Sequence, residues 1–143
     1  MVDKYKNPII IDFGFALKKT DPLFKKFNVV GTPEFYPYEM LKRRENGFIM
    51  YDEKVDIWCL GIILYEMLYG ITPFYVKSDN RDKIKENILA FKYIFPTGYN
   101  YQSVNDLIAK ILRPPEERIS LDAILLHPWI NNKAKMIKRE NLE

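Results

Sequence analysis

Asp12 is the residue of this sequence that is best placed to hold a positive charge. It directly follows three isoleucines at 9–11 and directly precedes Phe13 and Gly14. A run of β-branched residues is typical of a covered strand, and a carboxylate beside a glycine is typical of the turn that ends one. We therefore expect a short strand that ends near Ile11 and presents the Asp12 carboxylate to a cleft.

The single cysteine offers a second reactive group, but its surroundings argue against reactivity. Cys59 lies in the apolar run IWCLGIILY at 57–65 and has no basic neighbour in the sequence, which favours an inert core thiol. One cysteine also excludes an internal disulfide and is typical of an intracellular chain. The run is too short for a membrane span, which needs about 20 apolar residues.

Length and composition indicate one modest domain. The chain has 143 residues, of which 48% are hydrophobic and 15% aromatic, enough for a packed core. The formal charge is only +3, and the lysines are spread over several segments instead of forming one dense block. We therefore do not expect nucleic-acid binding.

The elements that must position these groups are mostly helical. Residues 15–38 contain three prolines and a glycine with little periodicity, which predicts a long irregular loop. A short helix is expected at 39–44. Residues 56–69 are apolar nearly all round, which predicts a helix buried on every side that Gly70 ends.

Further helices are predicted toward the end of the chain. The stretch 79–92 is polar and amphipathic, 104–112 has apolar residues at helical spacing, and Ser120 is a candidate cap for a helix that ends before Pro128. The basic, polar residues 132–143 predict a frayed or disordered tail.

Four motifs occur in an order that is more specific than any of them alone. They are DFG at 12–14, GTPEFYPYEM at 31–40, DIWCLGIILYEMLYGITPF at 56–74 and RPPEERISLDAILLHPWI at 113–130. This succession resembles the C-terminal lobe of a eukaryotic protein kinase of the serine/threonine type. The resemblance implies a mainly α fold with one short strand and a long activation segment, a partial kinase domain at 1–131, and a separate tail.

The resemblance implies roles for the first two motifs. Asp12 would bind the Mg²⁺ that bridges the phosphates of ATP. Phe13 would pack inward as part of a hydrophobic spine, and Gly14 would give the loop its hinge freedom. Thr32 would contact the catalytic aspartate and help to position the acceptor hydroxyl.

The central helix and the late arginine also inherit roles from the resemblance. Glu39 should form an ion pair with Arg118 that ties the activation segment to the helical base. Asp56 would accept hydrogen bonds from the backbone of the catalytic loop. Ile63 and Met67 would lie beneath the adenine-binding spine, and His127, in HPWI, would be a packing residue.

The resemblance also implies that two carboxylates could contact the protein substrate. Glu34 and Glu66 match positions that face arginines in kinases with basic substrates, although a structural or solvated role for both remains the alternative. Many relatives carry a phosphorylated threonine where this sequence has Asn28, which cannot take a phosphate. Activation should therefore not depend on that site, and Thr20 is the only other hydroxyl between Gly14 and Thr32.

Several kinase elements do not occur in the sequence. No GxGxxG and no His-Arg-Asp is found, and the 11 residues before Asp12 are too few to hold the catalytic aspartate. We therefore expect a serine/threonine kinase fragment that lacks its N-terminal lobe and is inactive alone. The alternative is a kinase-derived module without catalysis that binds partners through its helical base and the stretch 79–92.

Overall fold

The computed structural model describes residues 1–18, 31–42, 52–78 and 80–131, and this part of the chain is mainly helical. A 3-10 turn at Pro33–Phe35 is followed by five α-helices and, at 128–131, a further helical stretch. The five are α1 (Tyr38–Leu41), α2 (Lys54–Tyr69), α3 (Arg81–Leu89), α4 (Gln102–Ile111) and α5 (Leu121–Leu126). Three predicted segments lie partly or wholly outside the described residues: half of the loop at 15–38, part of the helix expected at 39–44, and the tail at 132–143.

Helix α2 is the central element, as predicted, and it begins two residues before the predicted start. Gly70 ends it with a left-handed φ of 75°, and the Gly70 N–H donates to the Glu66 carbonyl at 2.8 Å. The prediction that α2 is buried on every side was wrong. Ile63 and Met67 lie on a face that none of the described residues covers, and Met67 is 78% exposed.

The core forms where α2 meets α4. Four side chains of α4 are fully buried against it: Val104, Leu107, Ile108 and Ile111. Gly61 is the point of closest approach, because a Cβ there would lie only 2.5 Å from Cγ2 of Ile111. Helix α2 therefore places a residue without a side chain where α4 needs the space.

Helix α3 is the amphipathic surface helix that the sequence predicts. Its cap is Asn80, whose side chain accepts hydrogen bonds from the N–H groups of Asp82 and Lys83. Ile84 and Ile88 are buried, and the rest of its surface is mostly polar and exposed. Its two inward residues join the core that α2 and α4 form.

Helix α5 begins at the predicted cap, where the Ser120 hydroxyl accepts a hydrogen bond from the Ala123 N–H at 3.2 Å. Beyond its end, His127 is buried, but it does more than pack. Its Nε2 lies 2.9 Å from Oδ2 of Asp106 on α4, and its Nδ1 accepts from the Trp129 N–H. Because Nδ1 accepts, Nε2 carries the proton and donates to Asp106.

The strand predicted to end near Ile11 does not form. The first 18 residues contain one isolated bridge, between Val2 and Pro8, and residues 9–11 are exposed, with Ile10 at 81%. A strand needs a neighbour along its whole length. Among the described residues only Ile9 of this run has one: its N–H donates to the Met1 carbonyl at 2.9 Å, and its carbonyl accepts from the Met1 amino group at 3.1 Å. Separately, no helix in the described residues is long and apolar enough to cross a membrane.

Candidate functional site

The pair predicted between Glu39 and Arg118 is present, and it is buried. Nη1 of Arg118 donates to Oε1 of Glu39 at 2.7 Å, and Nη2 donates to Oε2 at 2.8 Å. Arg118 is 4% exposed and Glu39 7% exposed. Two parallel charge-assisted bonds give this pair the strongest geometry open to a guanidinium and a carboxylate.

The remaining donors of Arg118 are also satisfied. Nη1 donates a second bond to the Lys54 carbonyl at 2.7 Å, and Nε and Nη2 donate to the Arg113 carbonyl at 3.1 and 2.8 Å. The guanidinium lies over the Trp58 ring, 5.1 Å from its centroid. The arginine thus joins α1, the start of α2 and the α4–α5 loop at one point.

The 3-10 turn holds the next group of predicted residues. Thr32 is exposed at its start, and its carbonyl accepts a hydrogen bond from the Phe35 N–H at 3.0 Å. Glu34 is half-buried, and its Oε2 accepts a hydrogen bond from the hydroxyl of Thr72. Thr72 belongs to the motif at 56–74, but the sequence did not single it out, because it lies 38 residues from Glu34 and the motif assigns its hydroxyl no role.

Cys59 has the properties of an inert thiol. Its Sγ donates to the Phe35 carbonyl at 3.7 Å. Burial raises the pKa of the thiol to about 11, and the neighbouring carboxylates of Asp56 and Glu39 act in the same direction. At neutral pH the thiolate, which is the nucleophile, is therefore scarce.

Asp56 lies in the first turn of α2 without a hydrogen-bond donor for its side chain among the described residues. The residue as a whole is exposed, yet partial burial of the carboxyl group raises its pKa. A carboxylate that loses hydration without gaining a donor is available to an incoming N–H group.

Asp12 lies in the exposed segment before Gly14. It has a left-handed φ of 62°, and its Oδ1 accepts a hydrogen bond from the Gly14 N–H at 3.1 Å. Phe13 is 69% exposed, so the expected inward packing is absent, because no described residue covers this segment. Among the described residues no three metal-binding side chains come together.

This arrangement fits one kind of metal site. Mg²⁺ is usually held by one or two carboxylates together with phosphates and water, and not by a cage made only of protein atoms. The carboxylate of Asp12 is accessible and has one oxygen without a described partner. The residue is therefore suited to share a magnesium ion with a nucleotide.

The structure does not assemble all predicted residues at one place. Ile63, Glu66 and Met67 are exposed on α2. No hydrogen bond or ion pair between described residues joins Asp12 to Thr32 or to α2. The described part of the chain thus has a complete structural pair and a set of separate, exposed functional candidates.

Comparisons with known proteins give a consistent result. A family model described as "Protein kinase domain" matches residues 1–130. Aurora kinase A-B of Xenopus laevis is 32% identical over 133 residues, which cover 92% of this chain and 30% of that protein.

Two further relatives agree with this match. The serine/threonine-protein kinase H1 homolog of Danio rerio is 38% identical over 141 residues, covering 94% of this chain and 31% of that protein. Ribosomal protein S6 kinase alpha-1 of Rattus norvegicus is 37% identical over 144 residues, covering 94% and 19%. The chain spans less than a third of the length of these three relatives.

Proposed function

This chain belongs to the protein kinase family, and from that premise we propose that the whole protein transfers the γ-phosphoryl group of ATP to serine or threonine hydroxyls of other proteins. The observation that carries the proposal is the ordered set of motifs, with the two distant members Glu39 and Arg118 in bidentate contact. All three relatives described above are named as kinases, and the relative from Danio rerio is named as a serine/threonine-protein kinase, which supports the same reaction.

We assign residues 1–131 to part of the kinase domain and residues 132–143 to a basic polar tail. The family match, which extends to residue 130, supports this division. The reaction is intracellular in this proposal, because ATP is the phosphoryl donor.

Asp12 is the proposed magnesium ligand. When bound, the ion neutralises negative charge on the nucleotide phosphates during transfer. The carboxylate of Asp12 orients the ion, and Gly14 leaves the loop free to bring that carboxylate to the phosphates. Thr32 positions the acceptor hydroxyl from its exposed place before the 3-10 turn.

Three residues of α2 have supporting roles in this proposal. Ile63 and Met67 offer apolar surface beneath the adenine-binding spine, and their exposure leaves that surface accessible. The carboxylate of Asp56 accepts hydrogen bonds from backbone N–H groups of the catalytic loop. This role suits a partly buried carboxylate that has no donor among the described residues.

The protein substrate is expected to carry arginine or lysine near the acceptor. Glu34 and Glu66 supply carboxylates that face no described cation, and a basic side chain would satisfy them. The activation segment has Asn28 at the usual phosphorylation position, so activity should not require phosphate there. Asn28 and Thr20 both lie outside the described residues, and a large rate gain from phosphate mapped to Thr20 would contradict this expectation.

The test is phosphotransfer by the protein isolated from its own cells through a C-terminal tag. With ATP, Mg²⁺ and a serine-containing basic peptide, we expect incorporation of labelled phosphate. Asp12→Asn should lower the rate about 100-fold or more, because an electrostatic contact to the transferring group is lost. Asp122→Asn, at an exposed carboxylate of α5, is the matched control.

Two results would overturn the proposal. One is the absence of phosphotransfer in the wild-type protein, which would favour the alternative of a binding module. The other is an Asp12→Asn variant that is as active as the control.

A further inference from the structure

In the part of the chain that the structure describes, a single hydrogen bond joins the 3-10 turn to the loop that follows α2. Thr72 lies in this loop and is only 5% exposed, and its hydroxyl donates to Oε2 of Glu34. A buried hydroxyl normally has a partner, and here the partner is a half-buried carboxylate on another element. The bond therefore holds the far end of the Glu34 side chain.

The backbone of Glu34 is held independently of Thr72. Phe35 packs against the core, and its carbonyl accepts the hydrogen bond from Sγ of Cys59. The Tyr36 N–H donates to the Pro33 carbonyl at 3.2 Å, which closes the turn. With the backbone held in this way, the Thr72 bond chiefly selects the direction of the carboxylate.

The charge of Glu34 is not balanced within the described part of the chain. No described lysine or arginine lies within ion-pair distance of it, whereas Glu39, five residues later, has both oxygens on Arg118. Thr72 is a neutral donor and bonds only Oε2. A partly desolvated carboxylate with one oxygen left over is a good partner for a guanidinium.

We propose that Thr72 is a positioning residue, which orients Glu34 to receive an arginine of the protein substrate. The inference rests on the proposed function, in which Glu34 faces a basic peptide. Its physical basis is preorganisation: the hydroxyl selects the carboxylate orientation before the peptide arrives, so that binding loses less side-chain entropy. Thr72 itself touches neither the peptide nor the nucleotide.

The experiment uses the tagged whole protein and two serine peptides that differ only in one arginine, replaced in the second by alanine. The measured quantity is the ratio of kcat/KM for the arginine peptide to kcat/KM for the alanine peptide. Thr72→Val should lower this ratio about fivefold through the KM of the arginine peptide, which is the effect of one lost hydrogen bond. Thr72→Ser keeps the hydroxyl and should restore the ratio.

Two controls separate positioning from general damage. Thr97→Val makes the same chemical change at an exposed turn and should leave the ratio unchanged. In a Glu34→Gln background, Thr72→Val should have no further effect on the ratio, because the charge that it orients is gone. If Thr72→Val unfolds the protein, Thr72→Ala, which adds no apolar bulk, takes its place.

The inference is overturned if Thr72→Val leaves the ratio unchanged, or if Thr72→Ser lowers it as much as Thr72→Val does. Calorimetric titration of the same two peptides requires no phosphotransfer and gives the same comparison as a ratio of Kd values. A protein that transfers no phosphate would therefore refute the proposed function, while the titration would still decide the role of Thr72.

Discussion

The acidic residues Glu39 and Asp12, which belong to two different motifs of this chain, have opposite surroundings. Glu39 is buried and has both oxygens on Arg118, which lies 79 residues away. Asp12 is exposed, and its described hydrogen bond reaches only to Gly14, two residues away. The first carboxylate is fixed by the fold, and the second is fixed by its own turn alone.

This difference separates a carboxylate that the fold neutralises from one that remains accessible to a ligand. In the Glu39 region the carboxylate and the guanidinium neutralise each other, so no ligand is needed to balance their charges. The Asp12 region has an accessible charge that no described lysine or arginine pairs with, so it is open to an added cation. Substitutions in the first region should therefore change stability, and substitutions in the second should change binding and leave stability almost unaffected.

The largest effect is expected from Arg118→Ala. The change leaves Glu39 buried without a partner, which should lower the free energy of unfolding by about 3–5 kcal/mol in a urea titration. Arg118→Lys should recover only part of this, because an ammonium cannot make two parallel bonds. Arg113→Ala, at an exposed arginine, is the control, and a loss in Arg118→Ala no larger than in this control would refute the prediction.

A smaller effect is expected from Gly61→Ala, compared with Gly14→Ala. At Gly61 the new Cβ would meet Ile111 and Leu112, so overpacking outweighs the better helix propensity and about 1–2 kcal/mol of stability is lost. At Gly14 the Cβ would meet only the Asp12 side chain, at 3.1 Å, and the change should stay within about 0.5 kcal/mol.

Thermal or urea unfolding checks this second prediction. In the double variant with Ile111→Ala, the loss from Gly61→Ala should become smaller, because the clashing methyl group is gone. Equal losses in the two glycine variants would show that the regions do not differ as described.

A weaker effect should appear in the pH dependence of stability. Hydrogen bonds from Lys110 first, and from His127 second, lower the pKa of Asp106 from its ordinary value of 3.8. A carboxylate with a lowered folded pKa stabilises the fold above its unfolded pKa and loses that contribution as the pH falls through the folded pKa. Stability should therefore decrease below about pH 4.

Because Asp106 is half-exposed, its share of this decrease should be less than about 1 kcal/mol. Asp106→Asn keeps an acceptor for His127 but removes the charge, and it should flatten the decrease. The free energy of unfolding is measured from denaturation curves between pH 3 and 7. Asp122→Asn is the matched variant. An unchanged slope in Asp106→Asn would contradict the prediction.

The smallest effect on stability is expected from Asp12→Asn. Its described contact is local and exposed, so the free energy of unfolding should change by no more than about 0.5 kcal/mol. Differential scanning calorimetry without nucleotide measures this. A large loss would mean that Asp12 has a structural role that its exposure conceals.

The sequence predicted the elements whose signals are local. The end of α2 at Gly70 and the cap of α5 at Ser120 depend on one residue and its neighbours, and both are present. The Glu39–Arg118 contact is not local, and it could be predicted only because the order of motifs resembled a known family.

The errors arose where a side chain depends on distant partners. The isoleucines at 9–11 have strand propensity, but a strand also needs a neighbour along its whole length, and among the described residues only Met1 bonds to this run, at Ile9. Ile63 and Met67 are apolar, but apolar character does not say which face another element covers. The bonds from Thr72 to Glu34 and from His127 to Asp106 follow from packing that no short motif records.

The separation of 79 residues between Glu39 and Arg118 also has a consequence during synthesis. A ribosome adds about 5–20 residues per second, so Glu39 is made roughly 4–16 s before its arginine. Throughout that interval the carboxylate has to remain hydrated, because burial without a cation is costly. Helix α1 can therefore dock against Arg118 only after α2, α3 and α4 have been translated, so the chain cannot complete this part of its core in the order in which it is synthesised.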